Sequence, residues 1–316
     1  SKDLGNRRGR ESSPRCRKGI RERMTAGRER IPLRPRLPGN SEGGDRMKVF
    51  ISCDIEGVSG VVASGPHTSS DGGDYQRARA LMTGEANAAI EGALNAGATE
   101  IIVNDSHGPM INLLIEKLNP AATLISGAPK PLSMMQGIGK DCAAAIFVGY
   151  HSRMGTPGVL SHTISGASVA NVWVNDILLG ETGINAGLAG YFGVPVVLVC
   201  GDDVVSQEAR ELLPHIRTAT VKTAITRQSA SCLPPEKAQA LIRQETEQAL
   251  ASLGSARPWL PDSPVTFKVE FKDFGLAMNA ARMPYSRLVD ANTVAFSADD
   301  YLTAFQGLQA MIALAR

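Results

Sequence analysis

Three apolar segments of the chain run directly into side chains that commonly bind metal ions. The segments, each with the residues that follow it, are Lys48–Cys53 with Asp54-Ile55-Glu56-Gly57, Thr99–Asn104 with Asp105-Ser106-His107, and Ala143–Gly149 with Tyr150-His151. If the segments are parallel strands of one sheet, their carboxyl ends lie side by side, which is where open α/β sheets bind ligands. The pattern therefore predicts a metal-dependent enzyme whose site lies at that edge of the sheet.

The rest of the pattern favours an α/β fold. Lys48–Cys53 is apolar on both faces, as a strand covered by helices is, and apolar residues at helical spacing between Leu81 and Leu94 separate it from the strand Glu100–Asn104. Further strands are predicted at 122–126, 143–149, 159–164, 168–174, 194–200, 218–224, 265–271 and 293–297, and helices at 181–191, 206–213, 235–253 and 300–315. We predict a mainly parallel sheet flanked by helices, a Rossmann-like layered core, with a second, smaller α/β lobe.

The distribution of charge separates a basic leader from an acidic body. Residues 1–46 carry a net charge of +8 and residues 47–316 carry −6, and the leader is rich in Arg, Pro, Gly and Ser without hydrophobic periodicity. This composition predicts a disordered leader, which we interpret as an extension before Met47, the alternatives being a nucleic-acid arm or a targeting segment. The body is predicted to divide into a metal-binding α/β domain, 47–215, and a smaller C-terminal α/β domain, 216–316. Its acidity argues against a nucleic-acid partner.

Several function classes lack their sequence signatures. No run of about 18 apolar residues is present, so no membrane span is predicted. The five cysteines include no CxxC pair, which argues against a zinc ribbon or a disulfide framework and favours a reducing, cytoplasmic location. The GxxxxGKS/T loop, a GxGxxG loop after the first strand, the GxSxG elbow and the HExxH helix are also missing.

The acidic and imidazole side chains at the strand ends suit a pair of zinc ions. Residues two apart in a strand point to the same side, so Asp54 and Glu56 present two carboxylates to one point. Carboxylates held together repel one another unless a cation or a proton lies between them. Imidazole nitrogen and carboxylate oxygen are zinc ligands, and His107 and His151 with several acids suffice for two ions that share a bridging water.

Each candidate also has an ordinary structural explanation. Asp54 is placed to cap a turn, Asp105 to bond its own loop or support a ligand, and His151 to be a hydrogen-bonded core histidine. Glu181 opens a predicted helix, and its position at a helix N-terminus is by itself sufficient to explain it.

The remaining histidines leave several roles open. His162 lies on the predicted strand 159–164, where a third ligand, a general acid/base and a structural donor are all consistent with the sequence. His67, in a loop rich in Ser and Gly, is a candidate lid contact, and His215 after Pro214 looks peripheral.

The motifs of residues 47–316 carry a family resemblance. They are Ser52-Cys53-Asp54-Ile55-Glu56-Gly57, Val103-Asn104-Asp105-Ser106-His107, Leu124-Ile125-Ser126-Gly127, Gly149-Tyr150-His151, Thr156-Pro157-Gly158-Val159, Ser161-His162, Gly180-Glu181 with Gly183, Asn185 and Ala186, and Gly201-Asp202-Asp203. Together they resemble the zinc-dependent D-aminopeptidase family, the dipeptide-operon aminopeptidases of peptidase family M55, whose signature is S-x-D-x-E-G. Gly84 replaces a commonly acidic residue of the family and the loop Ser64–Gly73 differs, which bears on substrate preference more than on metal binding.

The resemblance implies a dinuclear zinc site with five protein ligands, which are Asp54, Glu56, His107, His151 and Glu181. It reassigns Glu181 from a helix-terminal residue to a ligand, and it places His162 at the position of the family's proposed catalytic histidine. We expect Asp54 to be the bridging carboxylate, since it lies deepest in its strand. The resemblance also implies a ring-like homo-oligomer, described as decameric, with active sites that face an inner chamber.

The resulting hypothesis is a metallo-aminopeptidase that hydrolyses N-terminal D-amino acids from short peptides by a dinuclear zinc-activated water. Specificity for a D-residue follows from the resemblance only. Two alternatives stay open: a dinuclear hydrolase of other peptides or of amino-acid amides, and a non-catalytic, metal-stabilised oligomer that binds peptides. Within the first hypothesis, His162 has three possible roles, which are proton transfer, stabilisation of the tetrahedral intermediate and nucleophilic attack.

Overall fold

The computed structural model describes residues 46–315, which lie in one compact unit. The predicted disordered leader, residues 1–46, lies outside the described residues apart from Arg46. The strands are β1 (Lys48–Cys53), β2 (Glu100–Asp105), β3 (Ala122–Ile125), β4 (Cys142–Tyr150), β5 (Val169–Val174), β6 (Ile177–Leu178), β7 (Val196–Asp202), β8 (Arg217–Thr226), β9 (Ser229–Cys232), β10 (Val265–Phe271), β11 (Arg287–Leu288) and β12 (Thr293–Ala298). The helices are α1 (Tyr75–Asn95), α2 (Glu181–Tyr191), α3 (Asp203–Leu212), α4 (Pro235–Ala251), α5 (Phe274–Ala280) and α6 (Tyr301–Leu314). Within the described range, none of these helices is long and apolar enough to cross a bilayer.

The larger of two sheets has seven strands in the order β3-β2-β1-β4-β7-β8-β9. All neighbouring strands pair in parallel except β9, which pairs antiparallel with β8. From β1 the chain first adds strands on one side and then, from β4 onward, on the other, so the strand order reverses between β1 and β4. A crevice for a ligand forms at the carboxyl ends of the strands at such a reversal.

Helices cover both faces of the larger sheet. Successive residues of a strand point to opposite sides, and in β1 the residues Val49 and Ile51 join a buried core with residues of α1 and α4. Phe50, between them, joins a second core with residues of α2 and α3. The two buried faces explain the continuous apolar sequence of β1. The prediction of an α/β fold with a mainly parallel sheet flanked by helices is confirmed.

The smaller sheet has five antiparallel strands in the order β11-β12-β10-β5-β6. Helices α5 and α6 pack on it, and α6 also contacts α2. Each sheet takes strands from both sides of residue 215, since β5 and β6 precede it and β8 and β9 follow it. The domain boundary near residue 215 stays a prediction.

The predicted strand at 159–164 is wrong, because this segment is a loop. Leu160 and Ile164 have φ angles of 53° and 58°, which lie in the left-handed region that an extended strand excludes. The backbone N–H of Leu160 donates to the carbonyl oxygen of Arg227 at 2.8 Å, and that of His162 donates to the carbonyl oxygen of Ser152 at 3.3 Å. These bonds replace a strand ladder and hold His162 beside the end of β4.

Glu85 is a buried acid where α1 meets the loop that follows β1. Its Oε1 accepts a hydrogen bond from the backbone N–H of Ser59 at 2.8 Å, whereas its Oε2 is buried with no hydrogen-bond partner among the described residues. Burial raises the pKa of Glu85 to about 7, against the opposing effects of the Ser59 N–H and the Lys222 ammonium. Between the ordinary pKa of a glutamate and this raised pKa, Glu85 is protonated in the folded protein and ionised in the unfolded chain.

Glu85→Gln is expected to remove one source of pH-dependent stability. Because the folded pKa is raised, the contribution of Glu85 is fully present below its ordinary pKa of 4.5 and is lost as the pH rises through about 7. The neutral amide should therefore raise the free energy of unfolding by roughly 2–3 kcal/mol at pH 8 and by little at pH 5. Denaturant unfolding of both proteins at the two pH values measures the difference. A difference that does not change with pH would contradict the raised pKa.

Candidate metal centre

Five predicted ligands meet at the edge of the larger sheet where the strand order reverses. Asp54 and Glu56 follow β1, His107 follows β2, His151 follows β4 and Glu181 begins α2. Asp54, Glu56, His151 and Glu181 are each at most 6% exposed, and the His107 side chain is 11% exposed. The structure brings these residues together because parallel strands end at the same edge of a sheet.

Asp54 lies at the centre of this metal-ligand cluster, because its two carboxylate oxygens face different histidines. Its Oδ1 is 3.3 Å from His107 Nδ1, and its Oδ2 is 3.5 Å from His151 Nε2. Glu56 Oε2 is 2.9 Å from His107 Nδ1, and Glu181 Oε1 is 3.4 Å from His151 Nε2. The cluster therefore has two halves, one of Glu56 and His107 and one of His151 and Glu181, that share Asp54.

Two glycines let the ends of β1 and β4 come into contact. A Cβ added at Gly57 would lie 2.0 Å from the carbonyl oxygen of Tyr150, and one added at Gly149 would lie 2.1 Å from that of Asp54. Gly149 also has a φ angle of +70°, which favours glycine. The N–H of Gly57 donates to the carbonyl oxygen of Gly149 at 2.7 Å. The glycine that ends the S-x-D-x-E-G motif thus allows the close approach that brings the acids to His151.

Backbone carbonyl groups orient the imidazole rings of the cluster. His107 donates from Nε2 to the carbonyl oxygen of Thr68 at 2.7 Å, and His151 donates from Nδ1 to that of Ser152 at 3.0 Å. A carbonyl oxygen only accepts hydrogen bonds, so each of these nitrogens carries the proton. When each ring is neutral, its other nitrogen presents a lone pair to the acids, which is the arrangement of metal-binding histidines.

The buried charges of the cluster depend on one another. Burial, together with the charge of Glu56, raises the pKa of Asp54 to about 7. Burial opposes the charged form of His151, but the Glu181 carboxylate outweighs it and raises the pKa of His151 to about 10. The acids therefore favour positive charge in their midst, which protonated imidazoles or cations can supply.

The donor atoms of the cluster fit a divalent metal. In the described part of the chain, His151 Nε2 is buried without a hydrogen-bond partner, and an unpaired buried polar atom calls for a ligand. Two groups have ligand atoms within 4.8 Å of one another, which are Asp54 with Glu56 and His151, and His151 with His162 and Glu181. Imidazole nitrogens and carboxylate oxygens without a thiolate suit zinc.

His162 lies against the cluster, stacked on His151. The ring centroids are 4.1 Å apart with an angle of 12° between the planes, and His162 Nε2 is 3.9 Å from Glu181 Oε1. Its Nδ1 donates to the carbonyl oxygen of Leu160 at 2.9 Å. Burial, and then the charge of His151, lowers the pKa of His162. A neutral His162 with its Nε2 lone pair facing the cluster is suited either to accept a proton or to bind a metal.

Two other candidates from the sequence organise loops. The carboxylate of Asp105 accepts hydrogen bonds from the backbone N–H groups of Asn112 and Leu113 and from the Asn112 side chain, at 2.5–2.7 Å. His67 Nδ1 accepts a hydrogen bond from the N–H of Val62 at 3.0 Å. Asp105 thus shapes the loop that carries His107, and His67 shapes the loop that carries Thr68. His215 lines a separate surface cavity.

Ser52 joins the three strand ends beneath the ligands, a role that sequence reasoning missed. Its Oγ is 2.7 Å from Ser106 Oγ, 2.8 Å from the hydroxyl of Tyr150 and 2.8 Å from the carbonyl oxygen of Met134. The signal in the sequence was a polar residue within an apolar strand, two positions before the first ligand.

Lys222 of β8 supports the loop that carries Glu56 and was also missed. Its buried Nζ donates to the carbonyl oxygens of Glu56 at 2.5 Å, Val61 at 2.6 Å and Val58 at 3.0 Å. Burial lowers the pKa of Lys222 to about 8. The signal was a lysine in the middle of a predicted buried strand, since a charge in such a place requires hydrogen-bond partners.

A cavity of about 450 Å³ opens beside the cluster. The cluster residues and His162 line one part of it, and the apolar side chains Met110, Met134, Ile184, Phe305 and Ile312 line another. Met110 and Ser133, which both line it, have φ angles of 59° and 49°, and backbone strain of this kind concentrates at functional sites. A small ligand with a polar end and an apolar part fits such a cavity.

Comparisons with known proteins agree on one family. The model of the D-aminopeptidase family, peptidase M55, matches residues 47–310. A D-aminopeptidase from Bacillus subtilis (strain 168) is 43% identical over 272 residues, which cover 85% of this chain and 98% of that protein. The solved structure of a Zn-dependent D-aminopeptidase, DppA, from Bacillus subtilis, described as a self-compartmentalizing protease, is similar with a TM-score of 0.83 and 42% identity. That alignment covers 85% of this chain and 98% of the solved one.

Proposed function

The chain belongs to the peptidase M55 family of D-aminopeptidases, as its sequence motifs predicted, and from this premise we propose that it removes N-terminal D-amino acids from short peptides with the help of two zinc ions. A relative with a similar fold is described as Zn-dependent. The observation that carries the proposal is the position of Asp54, whose two carboxylate oxygens face His107 and His151. A carboxylate in this position is suited to bridge two ions.

The ligands divide between the two halves of the cluster. In the proposal Glu56 and His107 would hold one ion, His151 and Glu181 would hold the other, and Asp54 would contribute to both. The Thr68 and Ser152 carbonyl groups fix the tautomers that this assignment needs. Such supporting contacts are commonly as important to metal affinity as the ligands they orient.

The chemistry assigned to the chain follows from the groups around the cluster. Bound zinc would supply an activated water and polarise the scissile carbonyl group. His162 Nε2 faces the cluster with its lone pair, so we assign His162 two linked tasks: it would accept the proton that the attacking water gives up, and it would pass that proton to the leaving amine. The acids of the cluster attract the α-amine of the substrate, and the apolar side chains of the cavity contact the residue to be released.

The active form in this proposal is a homo-oligomer. A relative of similar fold is described as self-compartmentalizing, which agrees with the ring that the sequence resemblance implied. Phe274 and Met278 of α5 are 50% and 53% exposed, and Tyr285 just after it is 95% exposed. Apolar side chains exposed in this way are suited to burial against another copy of the chain. The molar mass of the wild-type protein from light scattering tests this part of the proposal.

Removal of metal is expected to abolish activity, and zinc is expected to restore it. The experiment measures amino acids released from D-Ala-D-Ala and D-Ala-Gly, and from their L counterparts, after the wild-type protein has been stripped with a chelator and titrated with zinc. Recovery should saturate near two zinc ions per chain, with release only from the D-peptides. Activity that persists after chelation would contradict the proposal. Equal release from L-peptides would favour a dinuclear hydrolase of other peptides or of amino-acid amides. Peptide binding without release would favour a non-catalytic, metal-stabilised oligomer that binds peptides.

A further inference from the structure

Lys130 is a lysine in the wall of the cavity beside the metal-ligand cluster. Among the residues in the described range that line it, Lys130 is the only lysine or arginine, and it faces a cavity that also holds Asp54, Glu56 and Glu181. The cavity is therefore polarised. A cation is attracted to its acidic part, and an anion is attracted to Lys130.

Lys130 has hydrogen bonds but no anionic partner in the described part of the chain. Its Nζ donates to Asn104 Oδ1 at 2.7 Å and to the carbonyl oxygen of Asp105 at 2.6 Å. Both acceptors are neutral, and they use two of the three N–H groups of the ammonium. The nearby carboxylate of Asp105 is directed to Asn112 and Leu113. One donor of Lys130 and most of its charge are therefore available to a ligand.

Burial of Lys130 makes its charge costly in the absence of an anion. Burial lowers the pKa of Lys130 to about 8, and only the charge of Asp105 opposes this shift. The side chain is thus still protonated near pH 7, in a partly buried position where an added carboxylate gains from a strong, charge-assisted hydrogen bond.

A second donor lines the same cavity from α6. Gln309 Nε2 is buried without a hydrogen-bond partner among residues 46–315, and Gln309 lines the cavity together with Lys130. Unpaired buried donors are uncommon in proteins, and one at a cavity indicates a missing acceptor. Lys130 and Gln309 thus supply one charged and one neutral donor in the lining of the same cavity.

We propose that Lys130 binds the C-terminal carboxylate of the peptide substrate, with Gln309 donating to the same peptide, so that the enzyme selects short peptides by holding both ends. The inference rests on the proposed function, and it identifies Lys130 and Gln309 as the residues that restrict the length of the peptide. The free α-amine lies at the acidic part of the cavity, and the carboxylate lies at Lys130. Because Lys130 and the acids line one cavity of about 450 Å³, a peptide that contacts both has few residues, each about 3.5 Å long when extended.

The test compares D-Ala-D-Ala with its C-terminal amide, D-Ala-D-Ala-NH₂, in the zinc-loaded wild-type protein and in Lys130→Met. The wild type should hydrolyse the free acid with a kcat/KM about 10- to 100-fold above that of the amide, mainly through KM, as loss of a hydrogen bond to a charged group implies. Lys130→Met should lose this preference by slowing the acid alone, with its zinc content and its rate on the amide unchanged. Lys140→Met, at an exposed lysine, is the matched control and should behave as the wild type.

Each outcome bears on the proposal. A wild type that hydrolyses acid and amide equally would overturn the role of Lys130 and leave the aminopeptidase function intact. Equal slowing of both substrates in Lys130→Met would also overturn it, since Lys130 would then serve only to brace Asn104 and Asp105. Because the wild-type comparison needs no variant, it decides the matter if Lys130→Met does not fold. A wild type that hydrolyses neither substrate would overturn the proposed function and this inference with it.

Discussion

Asp54→Asn is expected to lower kcat for release of D-alanine from D-Ala-D-Ala by at least about 10³-fold, the upper range for loss of one electrostatic stabiliser at a reacting centre. The reason is that Asp54 faces His107 with one carboxylate oxygen and His151 with the other, so the neutral amide weakens both halves of the cluster. Zinc per chain should also fall from two to one or fewer. Metal analysis after gel filtration, together with the release assay, measures both effects.

Asp176→Asn is the matched control for this substitution, because the Asp176 side chain is 97% exposed and pairs only with Lys268 among the described residues. It should keep the zinc content and the activity of the wild type. If Asp54→Asn retained two zinc ions and full activity, Asp54 would not bridge the ions and the division of ligands between the two halves would be wrong.

His162→Ala is expected to lower turnover by roughly 10²- to 10⁴-fold, the usual contribution of a positioned acid/base, while zinc content stays near that of the wild type. His162 lies outside the pair of halves that share Asp54, and its Nε2 is 3.9 Å from Glu181 Oε1. Its loss should therefore remove proton transfer and leave the five ligands in place. Release kinetics and metal analysis of the same sample distinguish a role of His162 in proton transfer from a role as a metal ligand.

A loss of one zinc ion in His162→Ala would show instead that His162 is a ligand, as its grouping with His151 and Glu181 permits. His215→Ala, which alters a histidine at a separate cavity, should change neither quantity. If the wild type bound peptides without hydrolysing them, His162→Ala would have no turnover to lower. That result would favour the non-catalytic, metal-stabilised oligomer that binds peptides.

The positions of three of the ligands were predictable from sequence because local chemistry and topology agree there. Asp54, His107 and His151 each follow a strand that is apolar enough to lie in a covered parallel sheet, and parallel strands bring their carboxyl ends to one edge. Glu181 was different, since a position at the start of a helix explains an acid without any metal. The family resemblance, rather than spacing, identified it, and the fold then places its Oε1 3.4 Å from His151.

The parts that sequence reasoning missed depend on contacts between distant segments. Lys130 lies in a loop after β3 and Gln309 in α6, and no periodicity relates these positions although both line one cavity. The loop at 159–164 has an apolar pattern typical of a strand. Leu160 and Ile164 adopt the left-handed conformation, but neither residue type favours it, so the sequence does not indicate it. Helix α5 and strands β6, β9 and β11 are too short for a hydrophobic period to identify them.

We propose that five residues hold two zinc ions, and these are Asp54, Glu56, His107, His151 and Glu181. The most direct measurement is anomalous X-ray diffraction, recorded on both sides of the zinc absorption edge, from crystals of the wild-type protein loaded with zinc. We expect two anomalous peaks per chain, one beside Glu56 and His107 and one beside His151 and Glu181, with Asp54 in contact with both. A single peak, or peaks that Asp54 does not touch, would contradict it.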